Sequence, residues 1–395
     1  MLKWCPRNRV QNSMTMFEGF NLRDNAFPVT PSDEDGTHWF GFSKLKQEFE
    51  AVLDRSSMER LRLCVLNRGR FGAGKTHAAH YFVEQYSGRK NIGEYLCFIP
   101  IIIESPKQPP KAFIDFSNRL FNAVTFRRIA EVSENMRSLM EPKVLYKKLL
   151  EVSGSEDIAT VLSQMDDQNL LLSKTFLQGG GTARDLRSLG VAKRLTNEHE
   201  FASAVIGAIY LLIHGQSNKK ESISRLLLWV DEMEDLVYFP TRYYLPFTQA
   251  IREVIDTTNQ HMTLLLNFTF TEPEDLSSIE NILGKAIMER VNQHIIFQTP
   301  SKNELKDYLL ELFKANRLDK KSCPPTFPFL EDAFKLLIES AVSKTPRFLN
   351  KLCDMLLRDI QSLPGADKII KHGISREIVE KKIPQILSLL EDSGG

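Results

Sequence analysis

The sequence predicts an α/β protein: a five-stranded parallel sheet flanked by helices, with a helical insertion and a C-terminal all-helical lid. Three observations predict it. A glycine-rich loop at 69–76 separates an apolar run, Leu63 to Leu66, from a helix-favouring run, His77 to Tyr86. Four further apolar runs, at 95–104, 225–232, 261–271 and 294–298, alternate with stretches of helical spacing. Such alternation builds βαβ units and hence a parallel sheet. From Glu304 to the end only helical periodicity remains. The expected organisation is a lead-in over 1–42, a core over 43–300 with its insertion at about 128–200, and a lid over 301–395.

Composition bounds the reading. The 395 residues are 42% hydrophobic and 26% charged, as in a globular chain of two or three domains. A net charge of +1 gives no global pull toward nucleic acid or anionic lipid, although a local basic patch remains compatible with it. No apolar run has the length of a membrane span, and the N-terminus lacks a signal-peptide core. The five cysteines (Cys5, Cys64, Cys97, Cys323, Cys353) are scattered without zinc-ligand spacing. They read as reduced thiols of a cytoplasmic protein, with no membrane partner expected.

Within the lead-in, 27–36 is turn-rich. The aromatic cluster Trp39-Phe40-Gly41-Phe42 precedes a helix that Ser43 can cap, with Leu45, Phe49, Val52 and Leu53 at helical spacing. The cluster either packs the lead-in onto folded structure or walls a bound base. Next comes the phosphate loop, Gly69-Arg70-Phe71-Gly72-Ala73-Gly74-Lys75-Thr76, a G-x-x-x-x-G-K-[ST] motif, followed by His77. Gly69 and Gly74 allow tight turning and close backbone approach to phosphate. The loop amides open onto a helix N-terminus, which favours anions. Lys75 is placed to reach the β- and γ-phosphates of ATP, and the Thr76 hydroxyl to ligate Mg2+.

The second strand, 95–104, is apolar almost throughout, as if buried on both faces, yet Pro100 pulls it toward an edge or a bulge. Prolines 106, 109 and 110 then break the chain before a helix carrying Phe113, Phe116, Leu120 and Phe121. The insertion follows, polar and helical in pattern. Its glycine triplet 179–181 has no strand before it and so reads as a flexible connector rather than a phosphate loop. A helix over 198–214 leads to Leu226-Leu-Leu-Trp-Val-Asp231-Glu232, an apolar strand ending in two acids. After the phosphate loop, Asp231 is the expected Mg2+-site carboxylate and Glu232 the group that orients the attacking water. Glu234 and Asp235 read as solvated.

A helix over 245–255 leads to the strand 261–271, which ends in polar residues. Asn267, Thr269 and Thr271 share a face, and Asn267 is preferred as the group facing the γ-phosphate. A helix over 283–290 ends at Arg290, just before the fifth strand. Ser301 and Glu304 form a capping box that opens the lid, whose four helices run over 304–315, 329–343, 346–360 and 375–390. Pro346 and Arg347 begin the third of these.

This ordered set of motifs resembles the AAA+ P-loop ATPases, in particular the replication-initiator-like and transposition-regulator-like branch, over roughly 40–390. More narrowly, three segments resemble the ATP-binding proteins of BREX-type phage-defence systems. They are Asn67 to His77, Phe176-Leu-Gln-Gly with Asp185-Leu-Arg-Ser-Leu-Gly190, and Trp229 to Leu236. The resemblance implies that Arg290 is an arginine finger acting on a neighbouring subunit's γ-phosphate, and that Arg347 is a second sensor in the lid. The alternative for Arg290 is a surface pair with Glu289 or Glu280. The resemblance also implies a slow, partner-regulated ATPase that forms a homo-oligomer, takes ATP and Mg2+, and works with partner proteins of a multi-gene system. Two features depart from initiators: the long insertion, and the lack of a C-terminal winged-helix pattern.

Of three functional classes, a degenerate nucleotide-binding scaffold is disfavoured by the intact Lys75, Thr76, Asp231 and Glu232 set, and two stay open. One is a DNA-linked switch, in antiviral defence, transposition or replication. The other is a protein-remodelling or signalling ATPase without DNA contact. Basic stretches at Arg184, Arg187, Lys193 and Arg194, and at Lys368, Lys371, Arg376, Lys381 and Lys382, read first as solvated helix faces and otherwise as a DNA surface.

Overall fold

The computed structural model describes residues 17–23, 26–29, 38–58, 63–87, 97–215, 224–258, 260–270, 276–319, 323–341 and 344–392. Thr271, Cys5 and the start of the expected second strand lie outside them. The chain divides into two units. One takes in 43–298 with 32–38, and the other takes in the N-terminal 31 residues, Trp39–Phe42 and 299–395.

The larger unit holds five parallel strands: β1 (Leu63–Gly69), β2 (Cys97–Glu104), β3 (Ser224–Asp231), β4 (Met262–Thr269) and β5 (Gln293–Phe297). Their order across the sheet is β2-β3-β4-β1-β5, and all pairs are parallel. This is the expected fold class. β1 is buried along its whole length, as a strand flanked on both sides and covered on both faces must be. β2 is different. It pairs only with β3, and Pro100 and Ile102 are half-exposed while Ile99, Ile101 and Ile103 are buried. The near-continuous apolar run therefore belongs to an edge strand, where a proline without an N–H is tolerated.

The insertion folds as helices over 126–139, 142–153, 156–164, 170–177 and 183–189. Its Leu145, Leu149, Ile158, Leu162, Met165 and Phe176 are buried in the same hydrophobic core as the strand residues Leu226, Leu228 and Leu264. The polar pattern of this segment describes only its outer faces. The glycine triplet is a packed corner rather than a loose connector: a Cβ on Gly179 would lie 2.8 Å from the Phe201 ring, and Gly179 and Gly181 have φ of +79° and +109°. Thr182 and Asp185 close the corner with a reciprocal capping box.

The helix expected over 245–255 runs from Thr241 to Thr258. The helix expected over 283–290 is two short helices, Leu276–Leu283 and Lys285–Met288, broken at Gly284, whose φ is +74°.

The smaller unit contains helices over 302–316, 331–339, 346–361 and 376–392, plus a short fifth helix, Ala366–His372, that sequence spacing did not reveal. Part of the lead-in belongs to this unit's core: Phe17, Phe20, Leu22 and Phe27 are buried among Leu309, Phe313, Phe334 and Leu356. The aromatic cluster packs here too. Phe40 and Phe42 meet the Tyr308 ring at 6.5 and 5.8 Å between centroids, and a Cβ on Gly41 would lie 2.9 Å from the Tyr308 backbone.

Candidate functional site

In an open parallel sheet, ligands bind beyond the C-terminal ends of the strands. The ends of β1, β3 and β4 carry the predicted residues. Gly69 closes β1, and the reason for glycine there is β5 rather than a turn. Its Cβ would fall 2.5 Å from the Phe297 Cβ. The turning residues are Gly72 and Gly74, with φ of +75° and +98°. Nothing lies within 4 Å of a Cβ built on Gly74, so the loop opens there onto free space. The loop is closed by an Ala73 N–H donating to the Arg70 carbonyl at 3.2 Å, and the helix Lys75–Ser87 starts immediately after it. Arg70 and Phe71 point outward, Phe71 with 70% of its surface exposed.

Lys75 is buried, and its ammonium donates to the Gly69 and Arg70 carbonyls at 3.0 Å each. Two loop carbonyls thus hold the cation over the loop, where a phosphate oxygen can replace them. Thr76 is half-buried in the first helical turn, and His77 Nε2 lies 3.0 Å from the His38 carbonyl oxygen. An open loop, a helix N-terminus and a parked lysine fit the phosphates of ATP.

Asp231 ends β3 and is 6% exposed. Its Oδ1 accepts from the Glu232 N–H at 2.9 Å and from Asn267 Nδ2 at 3.0 Å, leaving Oδ2 open. A buried carboxylate with one satisfied and one open oxygen, on the same sheet edge as Thr76, fits a site for Mg2+ or its water shell. Asn267 sits opposite Asn67 in the β1–β4 register and is fully buried. It contacts Asp231 instead of facing open space. Thr269, on the same face, goes to another carboxylate: its N–H donates to Glu234 Oε2 at 2.9 Å.

Glu232 has a left-handed backbone, φ +57° and ψ 35°, uncommon for a residue with a Cβ. Its carboxylate turns to Lys107, whose ammonium lies 2.5 Å from Glu232 and 2.5 Å from Asp235. The two carboxylates hold Lys107 in its charged form against the effect of burial. Glu234 and Asp235 are therefore not simply solvated. Burial raises the Glu234 pKa, opposed by its bonds to Thr269 and by the nearby Lys75 charge. Sequence reasoning missed Lys107 and Glu234. Lys107 carries no sequence signal, because only the fold brings the turn after β2 beside the end of β3.

Arg290 is elsewhere. β5 runs parallel to β1, so a residue before β5 lies at the edge opposite the phosphate loop, roughly 20 Å away along a seven-residue strand. Its guanidinium grips Asp256, with Nε to Oδ1 at 2.6 Å and a terminal nitrogen to Oδ2 at 2.5 Å, and it also bonds the Ala286 carbonyl. Its ion-pair partner is thus Asp256, not Glu289 or Glu280. The pairing raises its pKa further. Arg347 follows the Thr345 cap at a helix start, and its Nε donates to the Val29 carbonyl at 2.8 Å. Among the described residues, no three His, Cys, Asp or Glu side chains cluster as a metal site, and no helix is long and apolar enough to cross a membrane.

The five-stranded all-parallel sheet with flanking helices and a C-terminal helical region is similar in fold to ORC. Drosophila ORC, solved bound to DNA, is similar with a TM-score of 0.50 at 12% identity, over 98% of this chain and 70% of that one. Aeropyrum pernix ORC2, solved in ADPNP–ADP complexes, gives 0.49 at 11% identity, over 92% and 71%. A Walker-type ATPase of Pyrococcus abyssi gives 0.44 at 12% identity, over 93% and 79%. At these identities the likeness is one of fold. No protein-family model matches the sequence, and no curated protein matches it.

Proposed function

We propose that this chain is an ATPase of the AAA+ class that binds ATP at 69–76, hydrolyses it slowly, and uses the cycle as an assembly-linked switch on DNA. The observation that carries the reading is the pairing, at one sheet edge, of an open loop with a parked Lys75 and a buried Asp231 with one free oxygen. Loop amides and Lys75 bind the β- and γ-phosphates, and Thr76 and Asp231 hold the metal's shell. Mg2+, when bound, supplies charge neutralisation of the phosphate oxygens. Glu232 leaves Lys107 to orient the attacking water and accept its proton. Arg290, remote from the chain's own loop, serves a neighbouring copy after release from Asp256, which makes the active form a homo-oligomer. Arg347 reports the nucleotide from the lid.

The DNA link is supported by the similar Drosophila ORC, which was solved bound to DNA. The motif resemblance to BREX-type proteins favours phage defence as the setting, with partner proteins from the same gene cluster. The test is a mixing experiment on ATP turnover. Lys75→Ala and Arg290→Ala are each inactive alone. Mixed, they regain part of the wild-type rate, because one supplies the finger and the other the loop. No recovery at any ratio argues against action in trans. Duplex DNA binding that weakens steeply with salt supports the DNA link.

A further inference from the structure

We infer that Trp229 and Asn67 are positioning residues for the Asp231 carboxylate, acting through the Asn267 amide; this rests on Asp231 serving the metal site as proposed above. The side chains involved span three neighbouring strands, β3, β4 and β1. Trp229, Asn67 and Asn267 have no solvent exposure. The Trp229 indole N–H donates to Asn267 Oδ1 at 2.8 Å, and Asn67 Nδ2 donates to the same oxygen at 2.9 Å. Two donors converging on one oxygen fix which way the amide points. Turned over, the amide would set its NH2 against two N–H donors and its oxygen against the Asp231 oxygen. As it stands, its Nδ2 donates to Asp231 Oδ1 at 3.0 Å. That bond and the Glu232 N–H hold Oδ1, so the carboxylate presents Oδ2 outward in one orientation.

A purely structural role fits this network poorly. Asn67 Oδ1 is buried and has no hydrogen-bond partner, and a buried acceptor left unsatisfied costs about 1–3 kcal/mol. Apolar residues of the same size would fill these strands without that loss. What the polar set provides is a fixed Asp231. The ring also stacks with Phe82 and packs on Phe49, so the indole cannot tilt away from the amide. In this arrangement Asn267 reads the metal-site carboxylate, and Trp229 and Asn67 hold Asn267 in register.

The test measures affinity for a fluorescent ATP analogue with Mg2+ and with EDTA, on full-length protein whose melting curve shows it folded. Mn2+ binding to the ADP complex, read by EPR, is a second readout. Trp229→Phe keeps the ring packing and loses the N–H. The expected result is a gain in affinity from Mg2+ reduced about five-fold, the size of one lost net hydrogen bond, with the EDTA affinity unchanged and Mn2+ binding weakened in step. Asn67→Ala is read in the same way and keeps the test decisive should Trp229→Phe fail to fold. A full Mg2+ gain in either folded variant overturns the inference. A wild-type protein that gains nothing from Mg2+ overturns the proposed metal site instead.

Discussion

The two edges of the sheet treat their charged and polar residues differently. At the N-terminal edge, side chains close on one another. Arg290 grips Asp256 through two nitrogens, and His214 is wedged between Tyr210 and His261. At the C-terminal edge, polar groups are held but left unfinished. Asp231 keeps one oxygen open, Lys75 rests on exchangeable carbonyls, and Glu232 sits in a strained backbone with its carboxylate on a surface lysine. The difference separates groups closed on one another within the chain, among them the proposed finger Arg290 held by Asp256, from groups left open beside the phosphate loop. Four substitutions can break or sharpen that contrast.

The largest effect is expected at Lys75. Lys75→Ala removes the charge facing the phosphates, and nucleotide affinity falls by about 100-fold or more, equivalent to about 2.7 kcal/mol. Titration with a fluorescent ATP analogue measures it, and affinity within a few-fold of wild type would dissolve the contrast. Lys107→Ala is the next test of the unfinished edge. Freed from its ammonium partner, Glu232 meets the water more often, and turnover rises about two- to five-fold, because an exposed pair of this kind is worth about 1 kcal/mol or less. Phosphate release at saturating ATP is the measurement, and a rate drop would mean that Lys107 serves catalysis directly.

At the finished edge, Asp256→Asn breaks the grip on Arg290 and lowers stability by about 1 kcal/mol, seen as a melting temperature a few degrees lower. Nucleotide affinity stays unchanged, since the pair lies away from the loop. The fourth substitution concerns pH. Burial, then His261 and Lys148, lower the His214 pKa from 6.5 to about 4. The folded state thus binds fewer protons than the unfolded chain between those values. Its stabilisation is present above pH 6.5 and is lost as pH falls toward 4. His214→Phe flattens the melting temperature over that interval, while an unchanged slope would assign the acid sensitivity to other groups.

Local patterns were legible in the sequence, and long-range register was not. Glycine spacing announced the loop at 69–76, and an apolar run into two acids announced Asp231 and Glu232. Each is a contiguous pattern whose meaning lies in neighbouring residues. The five strands followed from apolar runs for the same reason. The preference for Asn267 singled out a residue of β4 but could not show that Asn67 lies directly across from it, with the Trp229 indole on the far side. Those contacts join residues 38 and 200 positions apart. Asp256 as the partner of Arg290 and Lys107 as the partner of Glu232 depend in the same way on which helices and loops meet at a sheet edge. The insertion misled because its buried side, Leu145, Ile158 and Phe176, is a minority of its residues.

The most direct test of the central claim is phosphate release from ATP by wild type and Glu232→Gln, with nucleotide binding measured on the same preparations. The account predicts Mg2+-dependent release by wild type. It predicts equal nucleotide affinity for the variant, with turnover lower by about 100-fold or more, the usual range for loss of a general base. Equal turnover by the two proteins would contradict it.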